Sequence, residues 1–248
     1  MRTNILITGA SSGLGAGMAR EFAAKGHNLA LCSRRLETLE ALKQELLAAH
    51  PDIQIYTRSL DVDNHEQVFE VFRAFQQDMG NIDRIIVNAG VAHGAKVGTG
   101  QFEENRKTAV TNFVSALAQC EAAVEIFREQ NHGHLVAISS LSAMRGLPGS
   151  IAVYAATKAG LALLAEGIRA DLLNTPIKVT TIYPGYILTP LNEHIKNAPF
   201  RVDVETGCKA MVKAIDKEPD EACVPPWPWK PLSYVMKWMP LKQVAKMA

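Results

Sequence analysis

The sequence predicts one doubly wound α/β domain, a mainly parallel sheet of about seven strands with helices on both faces. Three observations carry that prediction. Short apolar runs recur along a chain of 248 residues. Longer stretches of helical period separate them, and the first run breaks into a glycine-rich turn ahead of a helix. Strands that alternate with helices need crossover connections, so neighbouring strands run parallel and helices cover both faces. In such sheets ligands bind at the carboxyl ends of the strands.

The elements follow in order. The first run, residues 5–8, lies in "NILITGASSGLGAG" and gives way to Gly9, Gly13 and Gly15, with Gly17 following. Such a junction points the first backbone N–H groups of a helix, and the positive end of its dipole, at an anion over the turn. Glycine is needed where a side chain would block a phosphate or force an unfavourable φ. The cofactor-side candidates are Gly9, Ser11, Ser12, Gly13, Leu14 and Gly15. Their spacing, G-x-x-x-G-x-G, departs from the usual G-x-G-x-x-G, so the loop alone also fits a plain tight turn. A second run at 29–32 precedes "RLETLEALKQELLAAH", where Leu36, Leu39, Leu42, Leu46 and Leu47 form one helical face. Further runs fall at 53–56, 84–87, 134–139, 179–183 and 222–224. No repeat, low-complexity segment or linker interrupts them. The reading is a domain over 1–224, with a substrate loop at about 189–205, and a tail over 225–248.

Four strand ends carry unusual residues. The second ends in "CSRR", where an NAD site would place a carboxylate about 20 residues beyond the glycine loop. Ser33, Arg34 and Arg35 stand there instead. A carboxylate would repel a ribose 2′-phosphate and a guanidinium would clasp it, so NADP(H) is the expected cofactor. The competing reading is two arginines opening a solvated helix. The third run ends "SLDV", giving Asp61 and Val62, with Asp61 able to accept from an adenine amino group. The fourth ends "NAG", Asn88, Ala89 and Gly90, a small-residue turn that lets a cofactor lie against backbone. The fifth ends "AISSLS", and "YAATK", Tyr154 to Lys158, follows fourteen residues after Ser140.

Tyr and Lys at i and i+4 share a helix face. A phenol with a pKa of about 10 is a poor acid–base catalyst at neutral pH, and a nearby ammonium lowers that pKa. Lowering it by three units takes roughly 4 kcal/mol of differential interaction. In isolation the pair is also an ordinary surface pair.

Together these pieces resemble the short-chain dehydrogenase/reductase family, whose sheet is of Rossmann type, from residue 4 to about residue 190. The matching stretches are "TGASSGLG", "NAG", "TNF" with Asn112, "ISS" with Ser140, "YAATK" and "YPGYILT". The resemblance implies that the loop holds the pyrophosphate and adjoining ribose of a nicotinamide dinucleotide. It implies Tyr154 as general acid in reduction, with Lys158 lowering its pKa and holding the nicotinamide ribose. Ser140 would orient the carbonyl, and Asn112 would hold a water linking Lys158 to solvent. Asn88 would lie near the adenosine ribose, and Pro184, Gly185, Ile187 and Thr189 would adjoin the nicotinamide, with Ile187 backbone and the Thr189 hydroxyl on its carboxamide. The serine-to-tyrosine spacing is one longer than usual in the family; Ser142 would give twelve, and Ser140 is preferred because it ends the strand.

The implied function is an NADP(H)-dependent oxidoreductase that interconverts a ketone and a secondary alcohol, acting as a reductase on a lipophilic carbonyl, 3-ketoacyl or steroid-like. The alternative is a catalytically silent NADP(H)-binding sensor or scaffold. The helix containing "AATKAGLALLAEGIRADLL" is small and apolar on more than one side, which suits a homodimer or homotetramer.

Composition excludes other classes. With 26 Lys+Arg against 25 Asp+Glu there is no overall field for nucleic acid. The seven histidines form no cluster, so no metal is expected; His93, after "NAG", is placed at the substrate mouth or in a solvated loop. Four separated cysteines without a C-x-x-C pair suggest reduced thiols and a cytoplasmic location. No window reaches the roughly 18 uninterrupted apolar residues of a membrane span, which predicts a soluble protein. The tail holds all three tryptophans, Trp227, Trp229 and Trp238, with Lys230, Lys237, Lys242 and Lys246 and no acid after Glu221. It suits packing as a lid or interface, or peripheral membrane contact. Prolines at 225, 226, 228 and 231 predict no continuous helix before about Leu232.

Overall fold

Residues 2–193 and 198–247 are described by a computed structural model. Part of the expected substrate loop, residues 194–197, lies outside the described residues. Seven strands form one sheet: β1 (Asn4–Thr8), β2 (Asn28–Ser33), β3 (Ile55–Ser59), β4 (Arg84–Val87), β5 (Gly133–Ile138), β6 (Ile177–Pro184) and β7 (Glu221–Val224). All pairings are parallel, in the order β3-β2-β1-β4-β5-β6-β7.

Alternation along each strand feeds two apolar layers. Ile5 and Ile7 of β1 face the helices α1 (Gly13–Ala23), α2 (Leu36–Ala49) and α7 (Val204–Ile215), packing with Phe22, Leu39 and Met211. Leu6 points the other way, towards α3 (His65–Met79), α5 (Ser115–Gln130) and α6 (Ala152–Asp171), among Phe72, Phe75 and Phe127. Complete burial of each such phenylalanine stabilises the fold by about 1.5–3 kcal/mol. A short α4 (Phe102–Ala109) runs through a π-helical turn (Val110–Val114) into α5. By length and composition α6 could span a membrane, but its Ala155, Leu161 and Ala165 are buried within the molecule.

The chain leaves β1 towards β2 on one side, and β4 joins β1 on the other. That reversal opens a crevice at the carboxyl ends of β1 and β4, where doubly wound sheets bind ligands.

Two sequence expectations shift. The third strand starts two residues later than its apolar run, because Ile53 is a buried anchor in the turn before it. Beyond Ile55, this edge strand carries half-exposed Tyr56, Thr57 and Arg58, which hydrophobicity alone does not mark. The tail also turns helical before Leu232: α8 spans Pro226–Trp238, kinked at Trp227, and α9 spans Leu241–Val244. Pro228 opens the helix after the kink, where an N–H has no intrahelical acceptor, and Pro231 lies one turn on, where it leaves only the Trp227 carbonyl at the kink without an intrahelical donor.

At the amino ends of the strands, opposite the crevice, a polar cluster closes the sheet. Arg84 Nε donates to His134 Nδ1 at 2.9 Å, and Arg84 Nη1 to Asp216 at 2.9 Å. His134 therefore carries its proton on Nε2 and donates to Thr180 Oγ1 at 2.8 Å, and Thr180 donates to the Pro219 carbonyl. Burial, and then the Arg84 charge, hold the His134 pKa well below that of a free imidazole; burial also lowers His27. Below about pH 6.5 the unfolded chain takes up protons that the folded chain refuses, so stability falls on acidification by up to about 1.4 kcal/mol per unit for each such histidine. Urea unfolding between pH 7.5 and 5.5 should show this loss, and His134→Gln should flatten it; an unchanged slope in the variant rules out His134 as the cause.

Candidate active site

A cleft of about 590 Å³ runs along the carboxyl ends of the strands, from Arg34, Arg35 and Asp61 at one end, past the glycine loop, to Ser140, Tyr154 and Lys158 at the other. Gly9 and Gly13 adopt φ of +65° and +53°, the left-handed region that disfavours side chains. A Cβ on Gly15 would overlap the Gly9 carbonyl oxygen and come within 2.8 Å of Asn88 Nδ2. Asn88 braces the loop from beneath, its Nδ2 donating to the Thr8 carbonyl at 2.8 Å and to that of Gly9 at 3.4 Å. The backbone N–H groups of Asn88 and Ala89 both donate to Thr8 Oγ1, locking β4 to β1. At the start of α1, Ser12 is extended, makes no side-chain cap, and no acid stands in the first turn. The first N–H groups of α1 are thus left for an external anion, and the cradle fits a dinucleotide pyrophosphate.

Arg35 bridges the two ends of the expected anion site. Its Nη2 donates to Ser11 Oγ at 2.9 Å and to Ser12 Oγ at 2.8 Å, and its backbone N–H donates to Ser33 Oγ at 3.2 Å. Arg34 is exposed at the rim. Asp61 also lines this end, with Val62, and its Oδ1 accepts from the Asp63 backbone N–H at 3.2 Å. Sequence reading missed Asp63. It accepts from Thr111 at 2.8 Å and Ser115 at 2.7 Å and so ties the loop after β3 to the helix behind the cleft. No spacing pattern signals it, because its partners lie about 50 residues away.

At the other end β5 and α6 hold the reactive groups. Ser140 caps a 3₁₀ turn, Leu141–Met144, and its Oγ accepts from Ser142 N–H at 3.1 Å and Ser142 Oγ at 2.9 Å. Of the two candidate serines, Ser140 lines the cleft with Tyr154, while Ser142 is not part of the lining. Lys158 is buried; its Nζ donates to the Ile138 carbonyl at 2.9 Å, and its own carbonyl accepts from Ser139 Oγ at 2.8 Å. Both ends of the lysine are fixed to the end of β5. Gly90 is closely packed: a Cβ would stand 3.0 Å from Asn112 Oδ1 and 3.4 Å from Lys158 Nζ, so a larger residue would need the Asn112 amide to shift by a few tenths of an ångström.

Asn112, fully buried in the π-helical turn, accepts from Val91 N–H and donates to the Val91 carbonyl, both at 2.8 Å. Its amide thereby fixes the turn after β4 against the π-helical turn, and its Nδ2 also donates to Thr157 Oγ1, beside Lys158 in α6, at 3.4 Å. Thr189 lies against Gly13, and its N–H donates to Asn192 Oδ1 at 3.0 Å. The Ile187 side chain points into the core, and its carbonyl accepts from Asn192 Nδ2 at 2.8 Å. Pro184, Gly185 and Leu14 also line the cleft, as does His93.

Burial governs the charge states here. It raises the Tyr154 pKa, with the Ser140 hydrogen bond acting the other way, and it lowers Lys158 to about 8. Desolvation of the phenolate, and not the ammonium that the i, i+4 spacing points to, sets the direction of the Tyr154 shift. Tyr154 is thus a neutral proton donor at neutral pH, and Lys158 still carries its proton for the most part.

The tail packs behind the cleft wall at Gly185, a contact that sequence reading did not assign. Trp229 of α8 is buried with Leu141, Ala162 and Tyr183, and stacks edge-on with Tyr186 at 5.8 Å and Phe200 at 6.0 Å between ring centroids. A Cβ on Gly185 would fall inside its indole. Gly185 is therefore required twice, at the cleft and beneath the tryptophan. Among the described residues no group of three or more His, Cys, Asp or Glu could hold a metal.

This combination of a parallel seven-stranded sheet, glycine cradle and Ser–Tyr–Lys cluster defines a nicotinamide-dependent oxidoreductase fold. The chain belongs to the short chain dehydrogenase family, which it matches over residues 3–199. An uncharacterized oxidoreductase of Mycobacterium tuberculosis is 48% identical over 247 residues, covering 100% of this chain and 98% of that protein. The NADP-dependent 3-hydroxy acid dehydrogenase YdfG of Escherichia coli is 30% identical over 224 residues, covering 90% and 87%. Among solved structures, the NADPH-dependent 3-quinuclidinone reductase of Rhodotorula rubra superposes with a TM-score of 0.76 at 26% identity, over 85% of this chain and 82% of that one. The chain is an oxidoreductase whose family uses NAD(P)(H) and acts on small molecules.

Proposed function

We propose that the protein is an NADP(H)-dependent reductase of a lipophilic ketone. The observation that carries the reading is the convergence of Ser140, Tyr154 and Lys158 at one end of a cleft whose other end presents Arg34 and Arg35. When bound, the nicotinamide dinucleotide supplies the hydride for reduction or accepts it in oxidation. The chain's own residues do the rest. The Ser140 hydroxyl and the phenol hold the substrate oxygen, and Tyr154 gives that oxygen its proton as negative charge develops on it. Lys158, held on the Ile138 carbonyl, keeps a positive charge behind the phenol and offsets the phenolate left after transfer. Asn112 positions the backbone beside Lys158, and a water-holding role for it belongs to this same proposal. Tyr186, Phe200 and Trp229 cluster behind Gly185 at the substrate end of the cleft, an apolar surround that suits an apolar carbonyl compound. A complete Ser–Tyr–Lys set argues against a role in binding alone, since a sensor has no use for a proton donor at the cleft. Exposed Leu163 and Leu173 flank the outer side of α6, consistent with assembly as a homodimer or homotetramer.

NADP(H) preference rests on Arg35, held by Ser11 and Ser12, with neutral Ser33 where a carboxylate would favour NAD(H). Fluorescence titration should show tighter binding of NADPH than NADH. Removing one guanidinium–phosphate contact costs about 1.5–3 kcal/mol, so Arg35→Ala should weaken NADPH about 10- to 100-fold and leave NADH nearly unchanged. Arg34→Ala should have the smaller effect. Equal affinity of the unaltered protein for both dinucleotides refutes the assignment.

A further inference from the structure

The C-terminal helix is apolar on two opposite faces, and the fold accounts for one. Its inner face, Trp229, Leu232, Ser233 and Met236, repeats at i, i+3, i+4 and i+7, and Trp229 and Ser233 are buried behind the cleft wall described above. The outer face, Pro231, Tyr234, Val235 and Trp238, repeats with the same spacing on the opposite side. There Tyr234 is 62%, Val235 56% and Trp238 80% exposed, and Trp227 at the kink is 78% exposed. Leu241, at the start of α9, extends the exposed apolar surface. Lys230 and Lys237, seven residues apart, border this stripe on one side, and both are exposed, as are Lys242 and Lys246 beyond it. No carboxylate side chain follows Glu221, so four lysines act there without an acidic partner in a chain whose overall charge is only +1.

We propose that the outer face of α8 docks on an anionic phospholipid surface. Tryptophan and tyrosine rings have an apolar body and a polar tip, and they settle at the headgroup level of a bilayer. Lysines reach from such a helix to acidic headgroups. Charge selects this occupant over a second copy of the chain. A twofold contact through the same stripe brings Lys230 and Lys237 towards the lysines of the other copy with no carboxylate on either helix to pair them. Since the inner face of α8 packs behind the cleft wall at Gly185, docking sets the substrate end of the cleft at the lipid surface.

The test is flotation of the full chain with phosphatidylcholine vesicles, with and without phosphatidylserine. Binding is expected to the phosphatidylserine vesicles only and to weaken as salt is raised. Tyr234→Ser with Trp238→Ser should abolish it. Replacing Lys230 and Lys237 with Gln should lower the partition coefficient about five-fold for each lysine. NADPH titration and thermal unfolding of the same variants should stay unchanged, because these side chains face solvent away from the cleft. That control separates failure of docking from failure of the cofactor reading. Absence of flotation with phosphatidylserine vesicles overturns the proposal, as does flotation insensitive to both pairs of substitutions. A fall in mass by light scattering in the aromatic variant, without vesicle binding by the parent, assigns the face to a second copy instead.

Discussion

Tyr154→Phe is expected to lower ketone reduction by about 10²- to 10⁴-fold, the range over which a positioned proton donor contributes to catalysis. The phenol is the neutral acid at the reactive end of the cleft, where it lines the site together with a second hydroxyl, that of Ser140. Burial raises its pKa, so the proton stays on it through neutrality and is available as negative charge develops on the substrate oxygen. Phenylalanine keeps the ring and its packing and removes only the hydroxyl. Dissociation constants for NADPH should therefore stay within about two-fold, because the cradle of Gly9, Gly13 and Gly15 is untouched, and a two-fold change amounts to only about 0.4 kcal/mol. Steady-state rates with an apolar ketone and fluorescence titration of the same preparation decide the matter. Turnover that survives in the variant, with cofactor bound, refutes proton donation by Tyr154.

Lys158→Met is expected to remove activity and raise stability together. The folded pKa of Lys158 is about 8, against 10.5 for the free side chain. Between those values the unfolded chain holds a proton that the folded chain has lost, so stability rises with pH across the window. Below about pH 8 both states are protonated, and burial of the ammonium costs about 3 kcal/mol relative to water. Methionine has a similar length, fills the same space and carries no charge to desolvate. It leaves the Ile138 carbonyl without its donor, a loss of about 1 kcal/mol. The net gain of roughly 2 kcal/mol corresponds to a Tm rise of about 4–8 °C in a chain of this size. The difference should shrink as pH approaches 10.5, where the parent lysine is neutral when folded. Activity should drop at least about 100-fold, because nothing then offsets the charge left on Tyr154 after proton transfer. Differential scanning fluorimetry at neutral and alkaline pH, beside activity at neutral pH, reads both halves. A destabilised but active variant contradicts the role given to Lys158.

Much of this was legible in the residues. The glycine loop, "NAG", "ISS" and "YAATK" located the cleft because each sits at a strand end, and strand ends are readable from hydrophobic runs that stop abruptly. Ser33, Arg34 and Arg35 were legible for the same reason. The choice of Ser140 over Ser142 was legible from its place at the strand end and not from spacing, since fourteen and twelve lie one residue either side of the usual value; the structure puts Ser140 in the cleft lining as the start of the 3₁₀ turn. Asp63 was invisible because its partners Thr111 and Ser115 arrive from a distant helix. The tail was misjudged at its prolines: Pro228 sits without cost at the helix start, and Pro231 removes only the first hydrogen bond after the kink.

The sequence by itself determined the order of strands and helices, the parallel sheet and the residue types at its carboxyl ends. Those follow from period and composition, which are local properties of the chain. The tertiary structure decided which arginine spans to the glycine loop, and that desolvation rather than the neighbouring ammonium sets the direction in which the pKa of the phenol shifts. It also decided that the tail presents one apolar face to the cleft wall and the other to solvent. These outcomes depend on which groups from remote segments share a low-dielectric space, and that information resides in packing, not in spacing along the chain.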